Sequence, residues 1–210
     1  MRYTVILATS TAMIASLSGG KCAAANPVSD STGATSAASA PGQSVSPADV
    51  AFMQGMIGHH AQALRMVALA PTHGASAKVL LLCKKIDISQ HDEIATMTQW
   101  LKDHHQAVPD TSKPMAMAMP GMLTPAQMKQ LEAAHDTAFD RLFLTFMIQH
   151  HNGALEMVRQ LFATNGAAQT PEVFQYATDV SVDQTGEIDR MRALLDSYSA
   201  PSSPRGSSPR

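Results

Sequence analysis

The sequence predicts an all-α protein, a four-helix bundle made of two repeated helical hairpins. Three observations predict it. Residues 49–67 and 140–158 agree at 10 of 19 positions when aligned at an offset of 91, where unrelated text would agree at about one. Apolar residues recur at helical spacing through most of 46–198, with no alternating strand pattern. Helix-start signals stand at Ser46-Pro47, Ser76, Thr124-Pro125 and Thr170-Pro171.

The first helix starts at Ser46, with proline at the first helical position and Asp49 closing a capping box, and should run to Pro71. A second runs from Ser76 to about His104. Pro109, Pro114, Pro120 and Gly121 mark a loop over 109–123, and Thr124 to Gln127 form another capping box. Helical periodicity then continues to Asn165-Gly166. That length exceeds an ordinary helix, so a break is expected near His135, giving one short helix and one long one. The last helix begins at Thr170 and ends near Ser197. The second helices of the two halves also match, at an offset of 94: Gln90, Glu93, Ile94 and Met97 recur as Gln184, Glu187, Ile188 and Met191. Each half is a hairpin of about 46–105 or 124–198, and two hairpins make the bundle.

The ends read differently. Residues 1–25 place a basic residue, an apolar run and small residues before Ala23-Ala24-Ala25, the layout of a cleavable secretory signal. Lys21 sits where a lipidated Cys22 would want a small neighbour. Residues 26–45 read as a flexible linker, and 199–210 as a disordered tail. The expected location is therefore periplasmic or secreted, with no membrane insertion after cleavage. The full chain carries a formal charge of −2, and loss of Arg2 and Lys21 takes it to −4. That balance gives no electrostatic footprint for nucleic acid. Cleavage leaves only Cys83, so no internal disulfide can form.

Both copies of the repeat carry a His-His pair between methionines. On a helical wheel, Phe52, Met56, His59, His60, Ala63, Met66 and Val67 share one stripe, opposite Gln54, Gly58, Gln62 and Arg65. Met147, His150, His151 and Met157 follow the same pattern, with Gln149, Asn152 and Glu156 outside. Cys83, Ile86, Gln90, Glu93, Ile94, Met97, Leu101 and His104 form the matching stripe of the second helix. Four buried imidazoles need hydrogen-bond partners or a metal. Partners could be Asp49, Asp140, Glu93 or Glu187, with Asp140 the stronger functional candidate because Asp49 can act as a cap. Thioether sulfur instead selects Cu(I), and imidazole nitrogen suits Cu(I), Cu(II) and zinc, so the combined donor set points to copper, Cu(I) first and Cu(II) second. A second signal is MAMAMPGM, where Met115, Met117, Met119 and Met122 lie in a loop without core periodicity, just after His104 and His105. Packing explains exposed methionine poorly, so the loop reads as a Cu(I) capture segment, or else as a lid. His73 and His135 read as surface residues. The lone Glu132-x-x-His135 falls short of a di-iron carboxylate set.

MIGHHAQALRMV, FDRLFLTFMIQHHNGALEMV and the QxxEIxxM segments resemble the domain of unknown function DUF305 over about 48–196. The resemblance implies a ferritin-like four-helix bundle and a function shared with exported members that bind copper. It implies Met56, His59, His60 and Met66 as ligands in one half and Met147, His150, His151 and Met157 in the other, with Met97 and Met191 joining from the paired helices. Gly58 departs from the proline or polar residue common before the His pair. The expected function is copper sequestration or shuttling outside the cytoplasm, contributing to copper tolerance, without catalysis. The cofactor is copper ions, and a copper donor or acceptor protein is the expected partner. A ferritin-like metal oxidase and a metal-free envelope interaction bundle are the alternatives.

Overall fold

The computed structural model describes residues 45–112 and 119–198. Its helices are α1 (Pro47–Val67), α2 (Ala77–Asp103), α3 (Pro125–Ala133), α4 (Asp136–Ala163) and α5 (Pro171–Ser197), with a 3-10 turn at Ala70–Thr72. No strand occurs among the described residues.

The starts follow the sequence signals. Ser46 and Asp49 close their capping box reciprocally, at 3.1 and 3.0 Å. Thr124 and Gln127 do the same, and Ser76 and Thr170 cap α2 and α5. Each cap satisfies amide donors that the first turn leaves without partners. The expected break falls at Ala134 and His135. There Asp136 adopts a left-handed φ of 53° and its amide donates to the His73 carbonyl. At the other end of α2, His105 takes φ 56°, the Gln106 amide reaches Leu101 O at 2.8 Å, and the His105 amide reaches Lys102 O at 3.0 Å. This is the bonding pattern of a helix end that favours glycine at the left-handed position. We expect His105→Gly to stabilise the protein by about 0.5–1 kcal/mol, the left-handed cost of a Cβ less the chain entropy of glycine. Urea denaturation would show it as a raised midpoint with unchanged slope.

α1 packs along α2, α4 along α5, and α1 crosses α4 at the centre. The core divides into two apolar layers. One joins Phe52, Met53, Met56, Met97, Met157 and Tyr176; the other joins Met66, Ile86, Phe139, Phe143, Met147 and Met191. His59, His60, Gln90, His150, His151, Gln184 and Glu187 are also buried, and in sequence they fall between the two layers on each helix.

The two halves brace each other through their first-helix acids. Asp49 Oδ1 accepts from the Ala168 amide at 2.7 Å, just before α5. Asp140 accepts from the Ser76 amide at 3.1 and 3.2 Å, at the cap of α2, and from the Tyr198 hydroxyl. Asp140, the stronger functional candidate by sequence, therefore serves as the counterpart of Asp49 in a cross-hairpin brace.

Candidate metal centre

The four histidines meet where α1 crosses α4. The His59 and His150 rings lie with centroids 3.8 Å apart, and His60 and His151 flank them at 6.3 and 6.1 Å from their neighbours. All four are at most 1% exposed. Adjacent positions on a helix point about 100° apart, so each pair sends one ring into the α1–α4 seam and the other to the paired helix.

Each ring is held through Nε2. His60 pairs with Glu93 on α2, and His151 Nε2 lies 2.7 Å from Glu187 on α5. His150 Nε2 faces the His59 carbonyl at 3.1 Å, and His59 Nε2 faces the Pro120 carbonyl at 3.0 Å. A carbonyl or carboxylate only accepts, so Nε2 carries the hydrogen in every case. In the neutral ring Nδ1 is then a lone pair, and all four Nδ1 atoms are buried with no hydrogen-bond partner. Burial, with His60 adding to it, lowers the His59 pKa to about 3 against the opposing hydrogen bond to Pro120, and burial followed by His59, His151 and His60 holds His150 well below 6.5 against its bond to the His59 carbonyl. Gln90 on α2 and Gln184 on α5 add further unpartnered amide atoms to the buried polar set.

The sequence candidates do not all come together. His59, His60, His150 and His151 come together. Met56, Met97 and Met157 lie in the first apolar layer, and Met66, Met147 and Met191 in the second. Met119 leaves the loop to pack against the first layer and shares with Met157, Phe52, Gly55 and Leu161 the wall of a cleft of about 310 Å3. Met122 is partly buried, its amide donating to the Met119 carbonyl at 3.3 Å. His104 stacks on Trp100 with centroids 4.3 Å apart and its Nδ1 donates to Trp100 O, while the His105 ring is exposed. Met115 and Met117 lie outside the described residues. His73, half-buried, stacks on His135 with centroids 5.0 Å apart. Cys83 packs in the second layer, its thiol pushed up to about 12 by burial and by Asp140, and so stays a small apolar group at neutral pH.

The wheel places Gly58 and Gln62 on the outer side of α1, and the structure buries both. Residues 119–123 cross that side. Gln62 holds Leu123 through both backbone groups, at 3.0 and 2.7 Å, and Gln149 Nε2 donates to Gly121 O. The end of the methionine loop is thus a fixed strap over the His59–His150 seam, and Pro120 supplies a carbonyl that no motif in the sequence marks. Glu93 and Glu187 were marked, by the repeat of QxxE at an offset of 94. Among the described residues, no group of three or more His, Cys, Asp and Glu side chains is arranged to hold a metal.

This is a duplicated helical bundle whose two hairpins bury a His and Glu layer between methionine-rich apolar layers. The family model of DUF305, a domain of unknown function, matches residues 49–203, and the chain belongs to that family. A DUF305 fragment from Deinococcus radiodurans is similar at 31% identity and a TM-score of 0.65, covering 73% of this chain and 98% of that one. A DUF305 protein from Streptomyces coelicolor, described as a candidate secreted protein, is similar at 26% identity and a TM-score of 0.64, covering 75% and 98%. CopM in its Cu(I)-bound form is similar at 27% identity and a TM-score of 0.57, covering 72% and 98%. A search of the curated proteins found no match.

Proposed function

We propose that this chain is an exported copper-binding protein that takes copper into its bundle and holds or passes it on outside the cytoplasm. One observation carries the reading: four buried Nδ1 atoms without hydrogen-bond partners, each on a ring fixed in place by an acceptor on the opposite nitrogen. Unpaired buried acceptors cost free energy, and a soft cation is the partner that imidazole and thioether donors suit. Acceptors behind the ligating histidines are the usual outer support of a metal site. The four rings are not arranged as a set of three or more ligands, so nitrogen from His59, His60, His150 or His151 would hold the ion together with sulfur from methionines of the adjoining layers. The likeness to CopM, known in Cu(I)- and Ag-bound forms, supports the same chemistry. No helix of the described residues is long and apolar enough to cross a membrane, and export rests on the signal-like residues 1–25. No bond-making step follows from this donor set, so the reading is of a carrier or store, not an enzyme.

The test is Cu(I) titration against a coloured chelator, with nitrogen NMR of the imidazoles. The wild type should compete with the chelator, and Cu(I) should move the Nδ1 resonances of His59 and His150. His59→Gln with His150→Gln should lose that part of the stoichiometry, and Leu at Met115, Met117, Met119 and Met122 should lose another part if the loop captures copper. Absence of competition in the wild type, or Nδ1 resonances unmoved by bound Cu(I), would sink the buried-site reading.

A further inference from the structure

We propose that the groove between α2 and α5 binds a small organic cation, an ammonium ion that also carries an acceptor oxygen. The groove measures about 600 Å3, within the size range of small-molecule sites. Met53 of α1, Met97 and Trp100 of α2 and Tyr176 of α5 line it, with Asp103 and Glu172 also in its wall. Trp100 and Tyr176 are each only 8% exposed, yet the Trp100 Nε1 and the Tyr176 hydroxyl have no hydrogen-bond partner. Native structures seldom leave such groups unpaired. The internal repeat shows that the fold does not need them. At the 94-residue offset the counterparts of Trp100 and Tyr176 are Leu194 and Leu82, and both leucines pack with the second apolar layer. The counterparts of Asp103 and Glu172 are Ser197 and Lys78. The same positions of the other hairpin are thus filled without an indole, a phenol or a carboxylate.

The lining defines the ligand. An indole N–H only donates, so the occupant must offer an acceptor. Burial first, and then Glu93, hold the Tyr176 phenol well above its usual 10, so that hydroxyl keeps its proton and can donate as well. Asp103 and Glu172 are exposed, and among the described residues neither is ion-paired; one Asp103 oxygen accepts from the Gln99 amide at 2.7 Å. No lysine, arginine or histidine lines the groove, so its charge is negative. A cation held near carboxylates and aromatic rings is attracted by both, and the two methionines offer apolar surface to its alkyl groups. Both rings are held before any ligand arrives. His104 stacks on Trp100 with centroids 4.3 Å apart, and Phe52 meets Tyr176 edge-on at 6.4 Å.

Trp100 is the only tryptophan of the chain, so its fluorescence reports on this groove. The test is a titration of the full-length gene product, as its expression host processes it, with choline as the probe. Emission should change saturably over roughly millimolar concentrations. Dimethylbutanol, the uncharged isostere of choline, should bind about tenfold more weakly. Ethyltrimethylammonium, which lacks the hydroxyl, should bind about fivefold more weakly. Tyr176→Phe should bring choline to the level of ethyltrimethylammonium and leave ethyltrimethylammonium unchanged. Asp103→Asn with Glu172→Gln should weaken both cations, as should added salt. The two carboxylates are exposed and the phenol hydroxyl has no partner, so melting temperatures should not fall; if Y176F lowers it, the carboxylate variant decides. No saturable change with choline, an equal response to the uncharged isostere, or a carboxylate variant that binds like the wild type would each overturn the proposal.

Discussion

Gly153→Ala is expected to destabilise the protein by about 1–3 kcal/mol, the range for forcing a methyl group into packed structure. A Cβ on Gly153 would fall 2.0 Å from the Pro120 carbonyl oxygen and 2.6 Å from Gly121 Cα. Those are backbone atoms, so no side chain can swing away, and either α4 or the strap must move. The strap is the weaker party, because it is held by Gln62, Gln149 and the His59 ring. Its displacement would remove the acceptor that fixes His59. Gly121 is the reciprocal case: its φ is +74°, and a Cβ would meet Gln149 O at 2.6 Å. Gly186 is the control. There the nearest atoms are the Arg190 guanidinium at 3.5 Å, so Gly186→Ala on α5 should stabilise by up to about 1 kcal/mol through helix propensity. Thermal melts of the three variants check this directly. Nitrogen NMR of G153A should also show His59 released from its single tautomer. If G153A melts with the wild type and keeps that tautomer, the strap does not hold the ring.

Acid should unfold this protein earlier than its carboxylates alone would. His59 has a folded pKa of about 3 and His150 one well below 6.5, both lowered first by burial. In the unfolded chain each titrates near 6.5. Below that pH the unfolded state takes up two protons that the native state refuses. The stability contributed by these rings is complete above about pH 6.5 and is lost as pH falls from there towards 3, with a slope on the order of 2–3 kcal/mol per unit. Urea denaturation at pH 7.5, 6 and 5 would measure the slope, and the double variant His59→Gln with His150→Gln should flatten it. Parallel profiles for wild type and variant would mean that the rings are not buried neutral. The same shift changes the expectation for copper. Unperturbed imidazoles would lose the metal to protons near pH 6, as the residue types alone suggest. A ring with a pKa near 3 meets almost no proton competition at pH 5, so copper at His59 should persist in mild acid for as long as the bundle does.

Much of this was legible in the chain itself. The helix starts at Ser46, Ser76, Thr124 and Thr170 are local events, settled by side chains within three residues of the amides they cap. The break near His135 followed from length alone, and the buried stripe followed from a period that any helix obeys. The repeat supplied the pairing of hairpins, and with it Glu93 and Glu187 as counterparts. Local pattern also misled in one respect: it set Gly58 and Gln62 on the outside of α1, because a wheel shows the faces of one helix and not what crosses them. Contacts distant in sequence decided the rest. Pro120 lies 61 residues from His59, and Gly153 matters only because Pro120 and Gly121 lie against it. Asp140 became a brace when Ser76 and Tyr198 arrived from two other elements. The order of residues alone required that four histidines and their methionines be buried in a duplicated bundle. Which ring nitrogen each histidine leaves free is settled by packing between distant segments, because it depends on the acceptor that a separate segment brings to the other side of the ring.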